Sequence, residues 1–464
     1  MSAVQPASRR TVDAVPAVRF GYTFGELRDY AVQVLECARR AGASACECEV
    51  SEGYGLSVTV RMGEVETIEH HRDKSIGVTV YLGERPAARR GHASTSDFSQ
   101  SAIARTVGAA LAIARRTAAD DCAGPPEPEA LARDPADLDL FHPWPIGVRA
   151  AIGIARRIEA AAFALSPKIR NSEGAMVSAQ HGQFVLANSV GFLHGYPSSR
   201  HSLSLTVIAE DGGTMQRDDW YSAARAPERL ADPEALGRYA GERALARLGA
   251  RKVVTCRAPV LFEAPVAVGL LGAFVAAASG GNLYRKASFL ADALGTRVFA
   301  PNVTLEERPH EPQGLASAPY DEEGVATRPR AVVEGGELRG YFLGTYAARK
   351  LGLQSTGSAG GPHNLVARSD GPDLRGMLRM LDRGLFVTEL LGHGVNLVTG
   401  DYSRGAAGYW VEGGEIAFPV EEITIAGNLK EMFRGVVAIG ADEVVRGAYR
   451  CGSILVEQMT IAGH

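Results

Sequence analysis

No signature of a nucleophilic or compact metal site stands out in this sequence. There is no GxSxG elbow and no HExxH pair, and the eleven histidines are dispersed, with no two at ligand spacing on one helix. Basic excess is missing as well. The 49 Lys+Arg stand against 53 Asp+Glu, a net charge of -4, which leaves no electrostatic footprint for nucleic acid. The longest apolar run, 264–279, is broken by Pro265, Gly269 and Gly272. It falls short of the roughly 20 residues a membrane crossing needs, so a buried helix is expected there. Residues 1–21 carry no apolar h-region, which argues against a secretory signal and for a mobile leader; the cytoplasm follows by default. Cysteine is sparse, at six. Cys46 and Cys48 would share one face of a strand, but two thiols do not make a zinc site, and all six read as reduced.

Glycine, by contrast, is abundant at 53 residues, and it gathers most densely in GDYSRGAAGYWVEGGEIAFPVEEITIAGN, 400–428. Glu412-Gly413-Gly414-Glu415 reads as a hairpin turn between strands at 408–411 and 416–418, with Pro419 ending or edging the second. An apolar/polar alternation resumes over 420–425. The stretch reads as one wall of a β-rich cleft.

A chain of 464 residues is long enough for two or three domains. The spacing of Leu27, Tyr30, Ala31, Val34, Leu35 and Ala38 predicts a helix over 24–42, C-capped by Gly42. Strands are expected at 48–51, 55–61, 64–70, 76–82 and 85–94, then a helix at 98–119. This makes a sheet with both helices on one face. The proline-rich segment 120–145 is an extended connector. A helix at 146–165 leads to strands at 169–171, 174–179, 183–188, 191–195, 201–210 and 215–222. A helix over 227–248 is divided by Pro233. Beyond 251 the pattern shifts to a strand at 258–262, an apolar helix at 263–279, and short strands at 298–300, 303–306, 331–333, 338–343, 395–399, 436–439 and 453–461. The fold class is therefore α+β: an N-terminal sheet with helices on one face, and a C-terminal β-rich barrel or sandwich-like domain with an inserted helix. The expected divisions are a leader at 1–21, an N-terminal domain at 22–120, a connector and middle domain at 121–250, and a C-terminal domain at 251–464.

The loop STGSAGGPHN at 355–364 is glycine-rich but lacks the lysine of a phosphate-binding loop, and reads as a tight loop lining a cleft. His70-His71, Glu306-Glu307 and Glu322-Glu323 read as solvated surface.

Several runs together carry a resemblance: RNSEGA at 170–175, NSVGF at 188–192, YDEEGV at 320–325, YAARKLGL at 346–353, STG at 355–357 with GPHN at 361–364, SRGAAG at 403–408, ITIAGN at 423–428 and MTIAG at 459–463. From about Tyr22 onward the chain resembles the PmbA/TldE half of the TldD/PmbA family of zinc metalloproteases. The resemblance implies a two-subunit peptidase. Its TldD-type subunit carries HExxxH on the helix opening the C-terminal domain: two His and a C-terminal Cys bind zinc, and the Glu is the general base. The PmbA/TldE-type subunit shares the fold and lacks the site. Here Phe262 and Ala267 stand where the two His would be, and neither can ligate zinc. Glu263 stands at the position of the base and is read as a structural remnant favoured by the helix dipole. Cys451 lies near the position of the ligand Cys and is read as a core residue.

The resemblance thus implies no catalytic or metal residue in this chain, zinc in a TldD-like partner, and an unfolded peptide as substrate. His363, Asn364, Tyr402, Arg404 and Trp410 are expected to line a cleft for peptide or partner. Trimming of peptide leaders and degradation of labile antitoxins are among the family's roles. Other readings stay open: a stand-alone peptide-binding or chaperone-like protein, or a homo-oligomeric hydrolase.

Overall fold

The structure, a computed structural model, describes residues 19–463. The leader expected at 1–21 lies outside them except for Arg19, Phe20 and Gly21. These last residues are anchored: the N–H groups of Gly21 and Tyr22 donate to the Glu52 carboxylate, both at 2.9 Å.

The first helix, α1 (Phe24–Arg40), opens with a capping box in which Thr23 and Glu26 satisfy each other's backbone N–H groups. It buries Leu27, Ala31, Val34 and Ala38. Gly42 lies one position beyond the C-cap, Ala41, with φ +90°. Strands β1 (Ala45–Arg61), β2 (Glu64–Leu82) and β3 (Arg89–Thr95) follow, then α2 (Gln100–Arg116). The same order then repeats as α3 (Val148–Phe163), β4 (Ile169–Asn188), β5 (Leu193–Asp211), β6 (Thr214–Ala224) and α4 (Pro233–Ala246).

The two αβββα units merge into one six-stranded sheet, ordered β3-β2-β1-β4-β5-β6, with β1 and β4 antiparallel at its centre and Gly53 opposite Gly182. Alternate residues of β1 face one way: Cys46, Cys48 and Val50 pack under α1 and α2, while Leu56, Val58 and Val60 pack under α3 and α4. All four helices therefore cover one face. Between the helix pairs sits a polar and aromatic seam of buried His181 and His201 and half-buried Tyr54, with Tyr54 stacked on His181 at 4.6 Å. The other face of the sheet turns toward the C-terminal domain.

The strands are longer than the sequence pattern suggests. The breaks expected at 52–54, 71–75 and 180–182 do not occur: Gly53 and Gly182 sit opposite each other in mid-strand, and 71–75 pairs with 51–55 of β1. A Cβ on Gly55 would strike Gln180 and His71, so this glycine lets two side chains cross the strand closely.

The connector is extended apart from a short 3-10 turn (Pro128–Ala130), and it is stitched to the C-terminal domain. Arg349 donates to the carbonyls of Cys122, Gly124 and Pro125 and pairs with Glu127.

In the C-terminal domain β7 (Cys256–Phe262) runs between Gly384–Leu391 and Ile454–Ala462. Gly384–Leu391 pairs with Asp401–Glu412, which pairs with Glu415–Asn428. The last of these returns to Ile454–Ala462 through Thr424 to Ala426, closing a five-stranded barrel. Helix α5 (Ala264–Ala277) leaves the end of β7 and buries Ala267, Leu270, Leu271 and Phe274 in a core shared with Val260, Leu385 and Ile425 of the barrel. No helix among the described residues is long and apolar enough to cross a membrane. A second sheet gathers short strands, including Leu305–Glu307, Leu365–Ala367 and Tyr449–Cys451.

Four expectations fail here. Residues 298–300 and 395–399 form no strand, and 338–343 contributes only the tip of Glu337–Leu338. Gly384–Leu391, unread in the sequence, is a barrel strand. Pro419 does not end its strand: it pairs with Tyr409 between two bulges, where no ladder N–H is required of it, and its carbonyl accepts from Arg251.

Candidate functional site

Where β7 passes into α5, Phe262 is the last strand residue and Glu263 the N-cap. Pro265, at the start of α5, occupies a position whose N–H has no helical partner. Phe262 and Ala267 are fully buried among apolar neighbours. The Glu263 side chain makes no bond to the helix's own amides. This corrects the expected dipole role: the carboxylate points away, into a bidentate pair with Arg243 of α4, at 2.6 and 3.1 Å.

Arg243 also donates to Asp218 of β6 at 3.0 Å and lies over the rings of Trp220 and Tyr239. Arg247, the C-cap of α4, reaches Asp218 at 3.6 Å and Glu389 at 2.5 Å. A chain of alternating charges, Glu263–Arg243–Asp218–Arg247–Glu389, thus ties the six-stranded sheet to the barrel. Burial pushes the Glu263 carboxyl up, and the hydrogen bonds and charge of Arg243 oppose it. Burial disfavours charge on Arg243 too, but its bonds to Glu263 and Asp218 outweigh this and raise its pKa.

The residues at this position do not fit a zinc ion. Zinc takes thiolate, imidazole or free carboxylate donors, and here the carboxylate is engaged by a guanidinium between two apolar side chains. Cys451 is fully buried, its thiol bonded to the Gly452 carbonyl, and burial pushes its pKa up, away from thiolate. Among the described residues, the ligand-type side chains that converge are Asp120, Asp121 and Cys122, and Lys350 occupies both carboxylates at 2.9 Å.

The five expected cleft residues are not brought together. Tyr402 and Trp410 are buried in the barrel core, and the Trp410 indole N–H donates to Glu412. Arg404 is half-buried and donates to the Leu391 carbonyl. The stretch 400–428 is therefore a barrel wall, which corrects the expected cleft wall: its glycines allow strands to approach, as at Gly408, where a Cβ would strike the Phe386 carbonyl. In the 355–364 loop, Asn364 is buried at φ +45° and spends both amide groups on Ala316, Arg308 and Ser317. His363 bonds the Gly357 carbonyl at 3.0 Å and borders a cavity.

That cavity, of about 670 Å3, and a second of about 700 Å3 lie between the open face of the six-stranded sheet and the loops of the C-terminal domain. Glu49, Leu186, Glu322 and Ala359 border both, so the two form one trough. The 355–364 loop does line a cleft: Ala359, Gly360, Pro362 and His363 border the trough. Its other walls, from β1, β4 and the 320–323 turn, carry no local sequence signal. Arg243 and Arg247 left a faint signal: two arginines four apart on a helix that otherwise buries Leu236, Ala240 and Ala244.

The architecture is thus a sheet built from two αβββα units against a closed barrel whose opening helix follows β7. Models of the PmbA/TldA metallopeptidase match in three parts: domain 1 at 46–114, the central domain at 141–248 and the C-terminal domain at 255–463. The chain belongs to the PmbA/TldD metallopeptidase family. It is 49% identical to metalloprotease PmbA of Escherichia coli O157:H7, over 91% of this chain and 93% of that one. Against the metalloprotease PmbA homolog of Haemophilus influenzae the identity is 44%, over 95% and 96%. Its fold matches the crystal structure of TldE from Thermococcus kodakarensis with a TM-score of 0.81 at 19% identity, over 94% of this chain and all of that one.

Proposed function

We propose that this chain is the metal-free subunit of a two-subunit zinc peptidase acting on unfolded peptides or small proteins. Its partner is a TldD-like chain that keeps HExxxH and holds the zinc. One observation carries the reading: the carboxylate at the base position is locked to Arg243, and Phe262 and Ala267 flank it with no donor atom. A general base must be free to take a proton from water near the metal; this carboxylate is buried and engaged. The relatives' name of metalloprotease and the fold shared with a TldE support the class of complex.

Co-expression with a TldD-like homologue tests this. Alone, the chain should bind far less than one zinc per molecule and leave an unfolded peptide intact. The pair should form a complex that carries zinc and cleaves. Stoichiometric zinc together with cleavage by this chain alone would overturn the proposal.

A further inference from the structure

We propose that the trough between the open sheet face and the C-terminal loops binds an extended peptide segment bearing lysine or arginine. The inference rests on the preceding reading only in taking a peptide as ligand.

Like charges face one another across the trough. Glu47 and Glu49 project from β1, and Glu322 and Glu323 come from the opposite turn. Their proximity registers in their titration: burial first, and then repulsion from Glu323, raises Glu47, while burial and Glu322 raise Glu49. Glu47 accepts from the Tyr81 hydroxyl and Glu323 from the Thr345 N–H. Glu49 and Glu322 enter no ion pair among the described residues. Against these four carboxylates the lining offers the guanidiniums of Arg90 and Arg200. A bare metal ion does not suit these four carboxylates, which form no close group of three ligand atoms; the group that does, at Asp120, Asp121 and Cys122 on the trough's border, is held by Lys350. The gap suits a cation carried on a longer molecule.

A second, independent feature identifies that molecule. Asn188 is 4% exposed, and its Oδ1 accepts from the N–H groups of Val190 and Phe192, which fixes Nδ2 as the amide donor. Asn188 lines the trough, and its Nδ2 is buried without an acceptor. Tyr320, 3% exposed, lines the other half; its buried hydroxyl has no partner, and burial keeps it protonated. Two buried donors without acceptors call for carbonyl oxygens. A peptide supplies both carbonyls and cationic side chains; a polyamine supplies only the cations.

The test uses the full chain alone, with a fluorescein-labelled dodecapeptide of alternating Lys and Ser, its Glu/Ser counterpart, and spermidine as competitor. The Lys/Ser peptide should bind at least about tenfold more tightly than the Glu/Ser peptide at low salt, and the gap should shrink as salt screens the carboxylates. Glu49→Gln with Glu322→Gln should remove most of that gap; Glu322→Gln alone, on an exposed loop residue, should halve it and guards against a folding defect. Tyr320→Phe should weaken both peptides by about threefold to tenfold, with no change for spermidine. Equal affinity for the two peptides, or an unaltered gap in both Gln variants, would overturn the proposal. So would displacement by equimolar spermidine with Tyr320→Phe binding like wild type. Because neither partner nor cleavage enters the measurement, failure to form the complex above would leave this result standing, and the reverse.

Discussion

Glu263 is a buried carboxylate whose place is set by a bidentate pair with Arg243. Breaking a buried pair leaves an uncompensated charge, at a cost of about 3–5 kcal/mol. Glu263→Ala should therefore lower stability by that order, measured by urea denaturation, while Glu263→Gln, which keeps the shape and one acceptor, should cost less. In the reconstituted complex Glu263→Gln should retain peptidase activity within a few-fold. A fall of about a hundredfold or more, as expected for loss of a general base, would assign Glu263 to the chemistry. A second prediction concerns His181, buried 5% exposed in the central seam, with its Nε2 accepting the Trp144 N–H. Burial, then the nearby His201, pushes its pKa down from 6.5 to about 4. The unfolded chain thus binds a proton that the folded one refuses between those values, so this contribution to stability is lost as pH falls from about 6.5 to about 4. An NMR titration should place the His181 midpoint near 4; a midpoint above 6 would contradict the burial argument. Neither partner could be foreseen: Arg243 lies 20 residues from Glu263, and Tyr54 faces His181 from another strand.

At the scale of elements, what could be read depended on whether the signal was local. The capped helix α1 and the Glu412-Gly413-Gly414-Glu415 turn carry their instructions within a few residues, and both stand where expected. The β1–β2 hairpin did not reveal its length, because glycines that ordinarily mark turns lie in mid-strand, where crossing side chains require them. The 400–428 hairpin separates the two uses of glycine experimentally. Gly413, at φ +59° with open space around it, is a turn glycine, and Gly413→Asn should change stability by no more than about 0.5 kcal/mol. Gly408 is a close-approach glycine facing the Phe386 carbonyl, and Gly408→Ala should cost about 1–3 kcal/mol or more by forcing the barrel strands apart. Similar thermal midpoints for the two variants would show that this distinction is wrong.

The whole molecule places most of its chemistry between units. The ion chain joins α4 and β6 to the start of α5, Arg349 pins the connector, and the trough lies between the sheet face and loops of the C-terminal domain. The α+β class and the apolar helix opening the C-terminal domain were legible, since composition and periodicity record them. The duplication of the αβββα unit was not, because the two copies share an order of elements rather than a short sequence period. The 355–364 loop was legible as one border of a cleft, but the opposite wall of the trough and the ion chain were not: each joins residues from separate units, and no single stretch of sequence holds both ends.

The pairing of β1 with β4 also has a consequence for synthesis. β1 is complete by Arg61, yet its central partner begins only at Ile169. During translation the first αβββα unit must wait, with one long backbone edge open, for more than a hundred further residues to emerge. Such an edge is a template for any other extended chain. The nascent protein is thus most exposed to misassembly in the interval before β4 arrives, and a pause in translation placed between these two strands should lower soluble yield more than one placed after Asn188.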